Sequence, residues 1–148
     1  MTALKKSAVI LMAEDDDDDF MLTKDAFEES RLLNKVIRVK DGVELMDYLF
    51  HRESYKSEKD SPRPSLILLD LNMPRKDGRE ALKEIKADAG LSSIPVIVLT
   101  TSKAEEDMLA SYQSGVNSYI RKPVSFDEFV NVLKVFRKYW FEVVELPE

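Results

Sequence analysis

Short apolar runs alternate with longer amphipathic stretches along the whole chain. The runs are Ala8–Met12, Val36–Val39, Leu66–Leu69, Val96–Leu99 and Ser118–Ile120. Most are too short for helices and rich in Val, Ile and Leu, as strands buried on both faces are. Between them, apolar residues recur at helical spacing. Phe20, Thr23, Ala26, Phe27 and Ser30 line one face of a first helix, and Val43, Met46, Tyr48, Leu49 and Phe50 serve a second. Ala81, Leu82 and Ile85 anchor a third; Met108, Leu109 and Tyr112 a fourth; Phe126, Phe129, Val130, Leu133 and Phe136 a fifth. Strands and helices in strict alternation predict a parallel sheet with right-handed crossovers and helices on both faces, the doubly wound α/β class.

Punctuation follows the same division. Asp41-Gly42 and Asp77-Gly78 mark turns, Gly90 is placed to cap the third helix, and Pro95 stands at the edge of the fourth strand. Residues 53–64, ESYKSEKDSPRP, read as a polar loop in solvent. The chain has 148 residues, 44% hydrophobic and 34% charged, which suits one globular domain spanning 1–148. Its net charge of −6 argues against nucleic acid as the main partner, and without cysteine no disulfide or thiolate site is available. No run approaches a membrane span and acids interrupt the N-terminal apolar stretch too early for a signal peptide, so a cytoplasmic protein is expected.

In a parallel sheet every strand's C-terminal end lies on one edge, where ligands bind. Glu14 and Asp15 follow the first run, Asp70 the third, Thr100 the fourth, and Lys122 the fifth by way of Arg121. Each has an ordinary explanation alone, as a helix cap or solvated loop residue. Together they suit phosphoryl transfer. The acidic pair can hold a hard divalent cation such as Mg2+. Asp70 can act as a nucleophile on phosphorus. Lys122 and the Thr100 hydroxyl can then meet charge on the phosphoryl oxygens.

The motifs ILMAEDD (10–16), LILLDLNMPRKDG (66–78), PVIVLTTS (95–102) and SYIRKP (118–123) resemble those of the receiver domain of two-component response regulators. The resemblance covers nearly the whole chain, with a core at about 7–138. It implies a flavodoxin-like (βα)5 sheet ordered 2-1-3-4-5, with Asp70 as phosphoacceptor. Glu14, Asp15, Asp70 and the main-chain carbonyl of Asn72 are implied as Mg2+ contacts. Thr100, the small Thr101 and Lys122 match the phosphate-binding positions, Tyr119 the aromatic switch, and Lys122–Pro123 a cis peptide. The phosphodonor is then a sensor histidine kinase, and the domain is a switch and not an enzyme with a free substrate.

Other readings are a receiver-like module that takes no phosphate and, further off, a small phosphohydrolase. The latter resembles Asp-x-Asp after its first strand, whereas Asp70 ends the third run and Asn72 cannot serve as acid. A calcium loop starting at Asp15 or Asp17 would need glycine where Phe20 or Leu22 stands. His51, the sole histidine, reads as an exposed helix residue. In the run Asp15–Asp19, Asp16 leads into the first helix, and Asp17 to Asp19 exceed what a metal or a cap requires. Beyond the core, residues 139–148 add Trp140, and Tyr139 and Val143 extend a second apolar row, Val132 and Val135, on the last helix. With the long loop at 53–64, this tail looks like the single-domain regulators of cyanobacterial phytochromes. That likeness implies a phytochrome kinase and a homodimer built on Val132, Val135, Tyr139, Trp140 and Val143.

Overall fold

The computed structural model describes residues 9–30, 35–57, 59, 61–100, 104, 118–121 and 125–137. Its strands β1 (Val9–Ala13), β2 (Lys35–Val39), β3 (Pro64–Asp70), β4 (Val96–Thr100) and β5 (Ser118–Arg121) form one sheet in the order β2-β1-β3-β4-β5. Every pairing is parallel. Helices α1 (Asp17–Glu29), α2 (Gly42–Leu49), α3 (Gly78–Ala87) and α4 (Phe126–Arg137) connect or follow the strands. The helix expected around Met108, Leu109 and Tyr112 lies outside the described residues, so α4 is the helix expected as the fifth.

Alternation along the strands sorts the core into two halves. Leu11, Ala13, Ile67, Leu69, Val96 and Val98 pack with Leu45, Met46 and Leu49 of α2 and Ala81, Leu82 and Ile85 of α3. Ile10, Met12, Leu66, Leu68, Ile97 and Leu99 point the other way, onto Ala26 and Phe27 of α1 and Phe129, Val130 and Leu133 of α4. The three inner strands are buried on both faces, as continuous apolar runs require. β2 departs from that expectation. It is an edge strand, and only Val39 is fully buried there.

Two aromatic residues expected in helix stripes are exposed instead. Phe50 caps the C-terminus of α2 at 40% exposure, with the Arg52 guanidinium 5.2 Å above its ring, and Phe126 opens α4 at 39% exposure. Gly90 is not the cap of α3. Asp88 holds that place, and its side chain accepts from the Gly90 and Leu91 N–H groups in the turn beyond.

The segment after α2 is tied down where an open loop was expected. A 3-10 turn at Glu53–Tyr55 packs the Tyr55 ring 5.2 Å from that of Tyr48, and the Tyr55 hydroxyl donates to Glu44. Tyr48 Oη donates to the Pro62 carbonyl at 2.8 Å, and burial pushes its phenol up to about 12. His51 lies past the helix at φ 55°, half-buried, with Nε2 2.8 Å from the Ser61 carbonyl. Most described residues of 53–64 are exposed, as expected, and the segment is anchored at Tyr55, Ser61 and Pro62.

Both Asp-Gly pairs start helices. Asp41 accepts from the Glu44 N–H at 2.8 Å and Asp77 from the Glu80 N–H at 3.1 Å, each capping its helix. The glycines also permit close backbone contact. Gly42 N–H donates to the Lys76 carbonyl at 2.9 Å and Gly78 N–H to the Leu71 carbonyl at 2.9 Å. A Cβ on Gly42 would sit 2.0 Å from Lys76 O, and one on Gly78 2.4 Å from Asp70 O. Both neighbours are backbone and cannot yield cheaply. We expect Gly78→Ala and Gly42→Ala each to lower stability by about 1–3 kcal/mol in urea unfolding, the usual range for overpacking. Unchanged midpoints would show that the loop between β3 and α3 shifts freely.

Candidate functional site

Strand register assembles the site before any side chain is considered. Ala13 pairs with Leu69, and Asp70 pairs with Leu99. The next positions along, Glu14, Asp70 and Thr100, therefore gather at the C-terminal edge of the three inner strands. Glu14 continues the alternation of Ile10 and Met12, and Asp70 that of Leu66 and Leu68, so both leave the sheet on the same side. One carboxylate oxygen from each of Glu14, Asp15 and Asp70 lies within 4.8 Å of the others. Glu14 and Asp70 are buried, Asp15 is exposed, and Thr100 is buried at the end of β4.

Backbone contacts fix Glu14 and Asp70. Glu14 N–H donates to the Val39 carbonyl at 3.0 Å, extending the ladder with β2 by one residue. The Glu14 side chain accepts from the Asp16 N–H at 3.3 Å. Asp70 Oδ1 accepts from the Asn72 N–H at 3.0 Å, which orients the carboxylate, while Gly78 packs against its carbonyl. The donors are hard oxygens with no imidazole or thiolate among them, and two are in a partly dry setting. That set fits Mg2+ or a similar cation and does not fit a soft metal.

The aspartate run divides by partner. Asp16 caps α1, accepting from the Asp19 N–H at 2.9 Å. Asp17 meets Arg38 Nη1 at 2.7 Å, and the hydrogen bond and charge of that guanidinium hold its carboxyl below the usual range. Arg38 was not singled out by the sequence reading. Its signal was there, as the one charged residue inside the apolar run Val36–Val39. On the far side of the site, Arg75 forks onto Asp41 at 2.9 and 3.0 Å. Arg75 has φ 64°, a left-handed conformation unusual outside glycine.

Of the expected site residues, the structure brings together Glu14, Asp15 and Asp70. It sets Asn72 one turn beyond β3 and Thr100 on the same edge. Tyr119 is in β5 opposite Val98, with only its backbone described. Val132 and Val135 are likewise placed only by the backbone of α4. Thr101, Lys122, Pro123, Tyr139, Trp140 and Val143 lie outside the described residues. Among the described residues, no helix is long and apolar enough to cross a membrane.

A parallel sheet ordered 2-1-3-4-5 with acids gathered on its C-terminal edge defines a receiver-type α/β protein. Residues 10–134 match the response regulator receiver domain, and the chain belongs to that family. It is 42% identical over 137 residues to the response regulator Rcp1 of the cyanobacterium Synechocystis sp., covering 86% of this chain and 91% of that protein. The crystal structure of the phosphorylated cyanobacterial phytochrome response regulator RcpA superposes with a TM-score of 0.82 at 40% identity, covering 96% of this chain and 99% of that one. The Mn2+-bound form of Rcp1 does so at 0.80 and 41% identity, with 95% and 99% covered.

Asp41 links the loop after β3 to the start of α2. Burial alone would raise its pKa, but the Arg75 fork and the Glu44 and Val43 N–H groups outweigh that, and the net shift is below the ordinary 3.8. A depressed carboxylate stabilises the fold above its unfolded pKa and loses that contribution as pH falls through its folded value. Asp41→Asn keeps the helix cap but not the ion pair. We expect it to cost under about 1 kcal/mol at neutral pH, because Arg75 is solvent-exposed, and to make acid unfolding less steep below the ordinary Asp value. Parallel acid-unfolding curves for mutant and wild type would contradict this.

Proposed function

We propose that this chain is a phosphoacceptor response regulator that takes a phosphoryl group from the phosphohistidine of a sensor histidine kinase onto Asp70. The observation that carries this reading is the buried Asp70 carboxylate at the end of β3, with Glu14 and Asp15 oxygens within 4.8 Å of it. Relatives in a phosphorylated form and in a Mn2+-bound form, at about 40% identity, support it. RcpA is a cyanobacterial phytochrome response regulator, which makes a light-regulated kinase the favoured donor.

In the proposed step an Asp70 oxygen attacks phosphorus in line with the P–N bond. The P–O bond forms as the P–N bond breaks, and the electron pair leaves with the imidazole nitrogen. The Asn72 N–H keeps the Asp70 carboxylate plane fixed for this approach. Glu14, Asp15, Asp70 and the Asn72 carbonyl would hold Mg2+, which lowers the repulsion between the carboxylates and the incoming phosphoryl oxygens. Thr100, beside Thr101, would donate a hydrogen bond to one of those oxygens, and Lys122 would pair with another. Drawing Thr100 toward the phosphate would leave room for Tyr119 to turn inward, so that local electrostatics bias a two-state surface. Transfer is stoichiometric, and the protein acts as a switch in protein–protein contacts. A homodimer on Val132, Val135, Tyr139, Trp140 and Val143 would present that surface twice.

Acetyl phosphate with Mg2+ should add one phosphoryl mass to the intact protein, and Asp70→Asn should take up none. Label that persists in the mutant would mean the wrong acceptor; a wild type that takes none would leave a module indifferent to phosphate. Turnover of a generic phosphomonoester far beyond stoichiometric labelling would point to a hydrolase. Sedimentation at tens of micromolar should give a dimer, and a monomer with and without phosphate would exclude that assembly.

A further inference from the structure

Arg38 lies in an edge strand beside an acidic loop, yet its side chain is only 14% exposed. Three contacts among the described residues hold it. Nε donates to the Glu14 carbonyl at 2.9 Å, Nη1 donates to Asp17 at 2.7 Å, and the guanidinium carbon stands 4.9 Å from the Phe20 ring centroid. The neighbouring residue on β2, Val39, accepts from the Glu14 N–H. Consecutive residues of β2 therefore hold both backbone polar groups of Glu14. The peptide linking Glu14 to Asp15 has little freedom as a result.

This contact has two opposite consequences for a cation bound by the acidic pair. As a positive charge, Arg38 opposes such a cation, so removing it should tighten binding. As a clamp, it spares the site the entropy of ordering the Glu14–Asp15 peptide, so removing it should weaken binding. The fork also leaves Nη2 buried with no hydrogen-bond acceptor among the described residues. An apolar side chain would suit the strand at smaller desolvation cost, which puts the value of the guanidinium in the bonds it does make.

We infer that Arg38 is a positioning residue for the divalent-cation site, and that its clamp outweighs its charge. This rests on the reading of Glu14, Asp15 and Asp70 as metal ligands. The pinning acts through the backbone of Glu14, so a lysine, which keeps the charge but has no fork, cannot replace it.

The test titrates the full chain with Mn2+, reading free ion by electron paramagnetic resonance, with Mg2+ as competitor. Arg38→Met keeps an unbranched apolar stem over Phe20, and Arg38→Lys keeps the charge. Both variants should bind about tenfold more weakly than wild type, the scale typical of lost support around a metal site. Their acetyl phosphate labelling should need correspondingly more Mg2+ for half-saturation yet reach the wild-type rate at saturation. Binding as tight as wild type or tighter in Arg38→Met, with Arg38→Lys unchanged, would overturn the proposal and leave charge alone. So would loss of fold in both variants without metal, which would assign Arg38 to stability. A wild type that binds no Mn2+ would sink the functional reading and this inference with it, whereas Mn2+ binding without labelling would leave the clamp testable and remove only the phosphoacceptor.

Discussion

Two buried carboxylates and one exposed carboxylate meet at a single sheet edge, and the rest of the structure is arranged around that repulsion. At the 4.8 Å limit within which the Glu14 and Asp70 oxygens lie, two unit charges repel by about 3.5 kcal/mol for an effective dielectric of about 20. Such a cluster is favoured where the backbone cannot splay apart and where positive charge is supplied to it. The first condition is met by rigid strands and specific pins. Val39 and Arg38 hold Glu14, while the Asn72 N–H and the close approach of Gly78 hold Asp70. The second would give the site its proposed chemistry, because a divalent cation would relieve the repulsion and ready Asp70 for the proposed phosphoryl transfer.

Packing supplies the rigidity. Three inner strands with both faces buried leave no room for a register slip, since a shift of one residue would exchange the two halves of the core. The same register sets Glu14 beside Asp70 and Asp70 one position from Thr100. Around the rim, the loop after β3 is tied to α2 by the Gly42 N–H and by the fork between Arg75 and Asp41. Glu44, in the first turn of α2, accepts from both the Lys40 N–H and the Tyr55 hydroxyl. A continuous set of contacts thus runs from the loop beside Asp70 to the segment that follows α2.

The architecture was legible because its signals are periodic. Strand identity, the alternation of elements and most core positions follow from apolar runs such as Leu66–Leu69 and from helical spacing such as Ala81, Leu82 and Ile85. The acids at strand ends were legible for the same reason, since parallel strands must end on one edge. What escaped was set by tertiary contacts. Phe50 reads as core yet lies under Arg52, and β2, at the edge where the expected order puts it, is less buried than its apolar run suggests. Residues 53–64 read as solvated, and most of those described are exposed, but Tyr55 and Ser61 are drawn in by Glu44 and His51 on the preceding helix and its end. Arg38 belongs to the same class. Its charge stood out among apolar neighbours, but only the fold reveals that it reaches Glu14 and Asp17.

The central claim is that Asp70 is the one carboxylate in this cluster that becomes phosphorylated. Borohydride reduction of the acyl phosphate, followed by peptide sequencing in a mass spectrometer, locates the modified residue directly. After brief incubation with a small-molecule phosphodonor and Mg2+, homoserine should appear at position 70 and nowhere else, and should vanish when the metal is chelated. Reduction products at Asp15 or elsewhere in the aspartate run, or none at all in a protein that binds the cation, would contradict the account.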